Sequence, residues 1–120
     1  LVEDLDMQPD ALFGLGEVAR RRATEMAAAG RPPEAHAFLK EAAHYYDRAI
    51  GLDALRWEYW RELARADLDL FQAERELTGK RNGTYLENAR REIMEAGKLA
   101  PSDPELAALA LKYQKLLREN

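Results

Sequence analysis

The chain has 120 residues, a net charge of −4 at pH 7 and no cysteine. The acidic balance argues against a general nucleic-acid-binding protein, which is normally basic, and the lack of cysteine excludes disulfides and cysteine-ligated zinc. No apolar run approaches the roughly 20 residues of a transmembrane helix, so we expect no direct membrane insertion. No signal peptide is visible, which favours a cytoplasmic location but leaves the compartment unknown.

The composition predicts an all-α protein. Hydrophobic residues make up 47% and charged residues 33% of the chain, as long amphipathic helices require, while the scarcity of β-branched residues argues against a sheet. Residues 1–8 show no clear period and are interpreted as a leader or linker, and residues 9–120 as a single helical domain. Prolines, glycines and capping residues divide the domain into helices at about 10–29, 33–52, 55–77, 84–99 and 104–118.

The first two predicted helices are separated by a glycine and two prolines. The first begins near Pro9 and stops at Gly30, where the breaker Arg31-Pro32-Pro33 follows. Within the first, Arg20-Arg21-Arg22 raises the hypothesis of an anion site, but successive residues diverge by about 100° on a helix, which favours a solvated face. The second carries one apolar stripe, made of Ala35, Phe38, Leu39, Ala42, Tyr45, Tyr46, Ala49 and Leu52.

The second helix also holds both histidines, and we predict no metal site there. His36 and His44 lie eight residues apart, too far for a helical i, i+4 metal-binding pair. Glu41-x-x-His44 matches half of a di-iron carboxylate motif, but the second half and the two further glutamates are missing. Helical-wheel placement puts His44 opposite the apolar stripe, so we expect it to be solvated.

The remaining helices have recognisable start signals. Residues 80–83 predict a turn, and Thr84-x-x-Glu87 predicts a capping box for the fourth helix. Asn82-Gly83-Thr84 also fits a glycosylation sequon, although Asn-Gly is a favoured turn pair and the structural interpretation is preferred. Asp103 supplies a cap for the fifth helix, with Pro104 in its first turn.

A spaced pattern of small and large residues occurs twice and begins a third time. Its second half is formed by Ala42, Tyr46, Ala49 and Ala54, and again by Ala89, Ile93, Ala96 and Pro101. Its first half is formed by Leu12, Leu15, Gly16 and Ala19, by Trp60, Leu63 and Ala64, and by Leu106, Leu109, Ala110 and Tyr113. This order resembles the tetratricopeptide (TPR) repeat, which implies antiparallel helical hairpins in a right-handed α-α superhelix of about five helices.

The pattern departs from that family in three ways. The period is about 47 residues instead of 34, which lengthens each helix by close to two turns and keeps its apolar face aligned. The third unit has a first helix but no second. Asp67 stands where an aromatic residue is expected. We expect it either to be buried and paired or to lie where the apolar stripe opens to solvent. Arg22 is the candidate partner, and pairing would lower the pKa of Asp67.

The resemblance implies a non-enzymatic scaffold that binds a peptide or partner protein. First helices of such repeats line a concave groove and second helices form the convex back. The predicted groove residues are Phe13, Glu17, Arg20, Arg61, Arg65, Leu68, Leu111 and Lys115. Basic groups outnumber acids there, so the expected partner is an acidic segment with an apolar anchor. We predict no cofactor and no catalytic residue, because phosphate loops, nucleophile elbows and cysteine nucleophiles are missing.

Self-association is the alternative function. Ala107, Ala108 and Leu111 make the outer face of the fifth helix less polar than a good terminal cap. This pattern predicts contact with a second copy, a homodimer through the C-terminal helix, or with further helices. A regulatory module attached to an enzyme or transcription factor is a third alternative that the sequence leaves open.

Overall fold

The computed structural model describes residues 7–119, and this part of the chain is all-helical, with five helices and no strand. The helices are α1 (Pro9–Ala28), α2 (Pro32–Leu52), α3 (Trp57–Thr78), α4 (Gly83–Leu99) and α5 (Pro104–Arg118). The predicted all-α class with five helices is confirmed, and every boundary lies within two residues of its predicted position. Residues 1–6 of the predicted leader lie outside the described residues. No helix between residues 7 and 119 combines the length and apolarity needed to cross a membrane.

Proline and glycine set the boundary between α1 and α2. Pro9 and Pro32 occupy the first positions of these helices, where a missing N–H costs no hydrogen bond. Gly30 adopts a φ of 71°, in the left-handed region. This turn lets the N–H of Arg31 donate to the carbonyl of Met26 at 2.9 Å, which ends α1 in a Schellman motif.

Side chains cap the starts of α4 and α5. Asp103 accepts a hydrogen bond from the N–H of Leu106 at 3.0 Å, as predicted. At α4 the cap is Asn82, whose side chain accepts from the N–H of Thr84 at 3.1 Å. The predicted capping box at Thr84 is therefore wrong, because the extended residue before the helix is Asn82. Its amide also donates to Glu74 at 3.3 Å, which supports the structural interpretation of the sequon.

Consecutive helices pack against each other, and α5 packs against both α4 and α3. Ion pairs show the direction of α3 and α5. Arg61 meets Glu105 at 2.7 Å near the start of both helices. Asp69 meets Lys112 at 2.9 Å, two turns further along both, so the two helices run parallel. The right-handed superhelix remains a prediction.

Two core clusters share α3. The first lies between α1, α2 and α3 and includes Leu12, Tyr46, Ala49, Tyr59, Leu63 and Ala66. The second lies between α3, α4 and α5 and includes Leu68, Phe71, Leu86, Ala89, Leu109 and Leu116. Because α3 supplies side chains to both clusters, it is buried on two sides and forms the centre of the fold.

The closest approach between α1 and α2 is made at Gly16. The Tyr46 side chain is fully buried and its ring lies against the Gly16 backbone. A Cβ at position 16 would lie 2.5 Å from Tyr46 Cε1, well inside van der Waals contact. Because the ring is enclosed by the core, it cannot move away without disturbing its neighbours.

Replacing Gly16 by alanine tests this contact. Alanine is the better helix former, yet we expect Gly16→Ala to lower the free energy of unfolding by about 1–3 kcal/mol because the new methyl group overlaps the Tyr46 ring. Gly14→Ala is the control, since nothing lies within 4 Å of a Cβ at that position of the same helix. Urea denaturation of both variants gives the measurement. Equal or raised stability in Gly16→Ala would contradict the structure.

Candidate functional site

The apolar residues of the predicted groove have different environments. Leu68 is fully buried in the second core cluster. Phe13 packs between Tyr46 and Tyr59, with ring centroids 5.5 and 4.9 Å away. The expectation that Leu68 lies off the core is wrong, because α3 is buried on two sides. Phe13 is partly buried and packs on aromatic rings of α2 and α3. Leu111, in contrast, is 72% exposed on α5.

The three arginines of the predicted groove converge on one buried carboxylate. Glu62 on α3 is only 3% exposed. Its oxygens lie 3.3 Å from Arg20, 2.7 Å from Arg61 and 3.2 Å from Arg65. A buried carboxylate is strongly destabilising unless charged donors surround it, and here guanidinium groups from two helices do so. This Glu62 cluster, made of Glu62, Arg20, Arg61 and Arg65, connects α1 to α3.

Further acids neutralise the same arginines. Glu17 lies 2.8 Å from Arg20, and Glu105 of α5 lies 2.7 Å from Arg61. The groove prediction assumed that these guanidinium groups are free to bind a partner, and this assumption is wrong. The acidic partner itself stays a prediction. Of the predicted basic residues, only Lys115 is exposed and makes no ion pair with any residue from 7 to 119. Charge reversal within the cluster would destabilise the fold and would not report on binding alone.

A pocket of about 230 Å³ lies between the second halves of α1 and α3, over the start of α2. We call it the α1–α3 pocket. Its apolar walls are Ala23, Ala27, Pro32, Ala35, Leu39 and Ala73. Its polar rim is Arg20, Thr24, Asp69 and Glu76. The volume falls just below the roughly 300–1,000 Å³ of small-molecule sites, and so fits a large apolar side chain better than a cofactor.

Small side chains of α1 and α3 contribute to the pocket. The Glu62 cluster joins the middle of α1 to the first half of α3. Beyond it, Ala23 and Ala27 of α1 and Ala73 of α3 line the pocket with methyl groups only, next to Leu39 of α2. Arg20 alone among the lining residues was predicted as a site residue. The sequence signal for the pocket is the set of alanines on α1 and α3, Ala23, Ala27 and Ala73. It does not identify a pocket, because alanine equally indicates close helix packing.

The rim of the pocket has an acidic side. Asp69 and Glu76 of α3 line it, and Arg20 lies across from them on α1. Lys112 binds Asp69 at 2.9 Å. Glu76 is exposed and forms no ion pair within residues 7–119. The uncompensated charge at this rim is therefore negative.

A second polar feature, the pair Asp67 and Glu92, is buried between α3 and α4. Burial raises the pKa of Glu92, and hydrogen bonding to Asp67 and the charge of Asp67 raise it further. Burial also raises the pKa of Asp67, against the effect of its hydrogen bond with Glu92. Oε1 of Glu92 is buried without a donor among the described residues, which a proton on Glu92 itself would remedy. The raised pKa values of both carboxyl groups favour a form in which the pair shares one proton.

The predicted pairing of Asp67 with Arg22 is therefore wrong. Arg22 is exposed on α1 and makes no ion pair within residues 7–119. The cation near the carboxyl pair is Arg91, whose guanidinium lies 3.5 Å from Oε2 of Glu92. The pKa of Asp67 is raised and not lowered as predicted, because burial outweighs the partly exposed cation.

The histidines lie apart from the pocket. His44 is exposed on α2, as predicted. His36 is half-buried, with Nε2 3.5 Å from Glu74, whose other oxygen accepts from Asn82 at 3.3 Å. Between residues 7 and 119, no three acidic or histidine side chains are grouped closely enough to hold a metal ion. The His36–Glu74 contact joins α2 to α3.

The shared proton predicts how stability changes with pH. The folded pKa of Glu92 is raised, so above about pH 4.3 the folded state holds a proton that the unfolded state releases. The contribution of Glu92 to stability is therefore fully present below that pH. It falls as pH rises towards the folded pKa, by at most about 1.4 kcal/mol per pH unit for one proton. We expect Glu92→Gln, which retains a donor for Asp67, to flatten this slope and to exceed wild type in stability at pH 8.

Urea denaturation at several pH values measures this slope. Glu87→Gln is the control, because Glu87 is exposed on the same helix and should leave the slope unchanged. Identical slopes in wild type and Glu92→Gln would show that the carboxyl pair does not share a proton.

Comparison with protein-family models, with curated proteins and with solved structures found no match to this chain. The resemblance to the tetratricopeptide repeat therefore rests on the spaced residues of the sequence alone. The all-helical fold and the geometry of the α1–α3 pocket do not depend on it.

Proposed function

We propose that this protein is a non-enzymatic interaction module and that the α1–α3 pocket holds an apolar side chain of a partner polypeptide. The observation that carries the proposal is a pocket with apolar walls that three helices leave unfilled at the surface. Apolar side chains that enter such pockets dominate the energy of protein interfaces. Arg20, the charged residue of α1 that lines the pocket, is engaged within the Glu62 cluster, which leaves burial of apolar surface as the main source of affinity.

The arrangement of helices supports the same proposal. The Glu62 cluster joins α1 to α3, and the pairs Arg61–Glu105 and Asp69–Lys112 join α3 to α5. These three helices therefore lie side by side, as the first helices of tetratricopeptide-like repeats do when they line a groove. A partner segment lying across them would pass over the pocket. The ion pairs would hold this surface in shape before binding, which lowers the entropy lost on association.

Filling the pocket tests the proposal. Ala27 is an exposed lining residue, so Ala27→Trp should occupy the pocket without disturbing the core. Ala37→Trp is the control, because Ala37 is an exposed alanine of α2 outside the pocket lining. Peptides are selected from a random phage-displayed library with wild-type protein and then measured by isothermal titration. We expect Ala27→Trp to lower the affinity for these peptides by at least about tenfold and Ala37→Trp to leave the affinity unchanged.

Two results would contradict the pocket as a binding site. One is a set of selected peptides that bind Ala27→Trp as tightly as wild type. The other is an equal loss in Ala27→Trp and Ala37→Trp, which would point to a general effect of an added tryptophan. Urea denaturation of both variants excludes unfolding as the cause.

Self-association through α5 is a second candidate function, and one observation favours it. Leu111 is 72% exposed at the middle of the helix, beside the exposed Ala107 and Ala108. Leu117 is also largely exposed near the end of α5. Together these residues give α5 an apolar outer face that a second copy of the chain could cover.

The solution masses of wild type and of a charged variant show whether the chain dimerises through α5. We expect wild type to dimerise with increasing concentration and Leu111→Glu to remain monomeric, because a pair of buried carboxylates would face each other in a two-fold contact. Leu55→Glu is the control, since Leu55 is 77% exposed but lies between α2 and α3. Sedimentation equilibrium gives the masses. A wild-type chain that stays monomeric over the whole concentration range would exclude this function.

A further inference from the structure

We infer that the partner segment carries a lysine or arginine close to its apolar anchor and that Glu76 binds this cation. The inference rests on the proposed function of the α1–α3 pocket, and it names the chemistry of the partner. It follows from the charges at the rim, from the ion pairs that those charges already make, and from their spacing along α3.

The ionisable residues that line the pocket favour a cation. Two of them are acids, Asp69 and Glu76, and one is a base, Arg20. Arg20 is already bound by Glu17 at 2.8 Å and by Glu62 at 3.3 Å. A carboxylate of the partner would have to displace one of these acids, and Glu62 is buried. The arginine side of the rim therefore offers little to an acidic partner.

The α3 side of the rim is open to a cation. Glu76 is exposed and makes no ion pair within residues 7–119, so its carboxylate can receive a new partner without breaking an existing contact. Asp69 adds a second carboxylate, although Lys112 lies 2.9 Å from it. A cation that arrives beside an apolar anchor would be attracted by both acids.

The spacing along α3 places both acids next to the anchor. Ala73 of the pocket wall lies four residues after Asp69 and three before Glu76, so all three share one face of the helix. An apolar side chain packed on Ala73 would have a carboxylate about one helical turn away on either side. The partner's cation is thus expected within about one turn of its anchor, or within about two residues of an extended segment.

Two synthetic peptide libraries test this inference. Both carry a central Leu, Met, Phe or Trp; the flanking positions are Lys, Arg or Ser in one library and Asp, Glu or Ser in the other. The proteins are wild type, Glu76→Gln, Ala27→Trp and the control Glu87→Gln, a charge-matched change at an exposed position of α4. We expect wild type to prefer the basic library. Glu76→Gln should lower the affinity for those peptides about two- to fivefold, as for an exposed ion pair. Added salt should reduce the difference in affinity between wild type and Glu76→Gln.

The outcomes separate this inference from the proposed function. One result is that Ala27→Trp abolishes peptide binding, while neither flanking charge nor Glu76→Gln changes the affinity. This result overturns the inference and leaves the pocket as the binding site. A preference for the acidic library overturns the inference and supports the acidic partner predicted from the sequence. Binding in both libraries that is indifferent to Ala27→Trp, or no binding, overturns the inference and the proposed function together. Equal losses in Glu76→Gln and Glu87→Gln would assign the effect to net charge and also overturn the inference.

Discussion

The burial of the Glu62 carboxylate is the constraint on which the arrangement of the helices depends. A carboxylate at this depth is tolerated only with cations around it, and α3 itself supplies two of them, Arg61 and Arg65. The third, Arg20, comes from α1, so satisfying Glu62 sets the position of α1 against α3. Arg61 then extends the same network to α5 through Glu105. One buried charge thus aligns three helices. It also engages three arginines, which are then not free to bind a partner.

Small residues have opposite effects in the two halves of α1. At Gly16 the missing side chain admits the buried Tyr46 ring, and the two helices come into close contact. At Ala23 and Ala27 the small side chains line the space between α1 and α3 together with Ala73 and Leu39, and the result is a pocket. The difference lies in the neighbouring side chains, because the Tyr46 ring occupies the space beside Gly16. Small residues therefore contribute both to close packing and to an open pocket.

The chain buries carboxyl groups in two chemically different ways. Glu62 is surrounded by guanidinium groups, which supply it with charged donors. Asp67 and Glu92 lie together with the exposed Arg91 beside Glu92, and burial and mutual repulsion favour a shared proton. In both cases the buried carboxyl groups have polar partners inside the protein. The surface features that remain available to a partner include the α1–α3 pocket, the carboxylate of Glu76, and Leu111 on α5.

The sequence by itself determined the number of helices, their class and their limits, because proline, glycine and capping residues act on the backbone within one turn. The cap of α5 at Asp103 was predictable for the same local reason. Only the tertiary structure decided which side chains meet. On a helical wheel Leu68 and Phe13 lie off the core stripe, but α3 has neighbours on two sides and buries Leu68, and Phe13 packs between Tyr46 and Tyr59. Arg20, Arg61 and Arg65 appear free until Glu62 is placed between them, and Asp67 meets an acid from α4 that no spacing relates to it. The pocket likewise follows from the distance between α1 and α3, since a gap between two helices is a property of their packing and is not encoded in either helix alone.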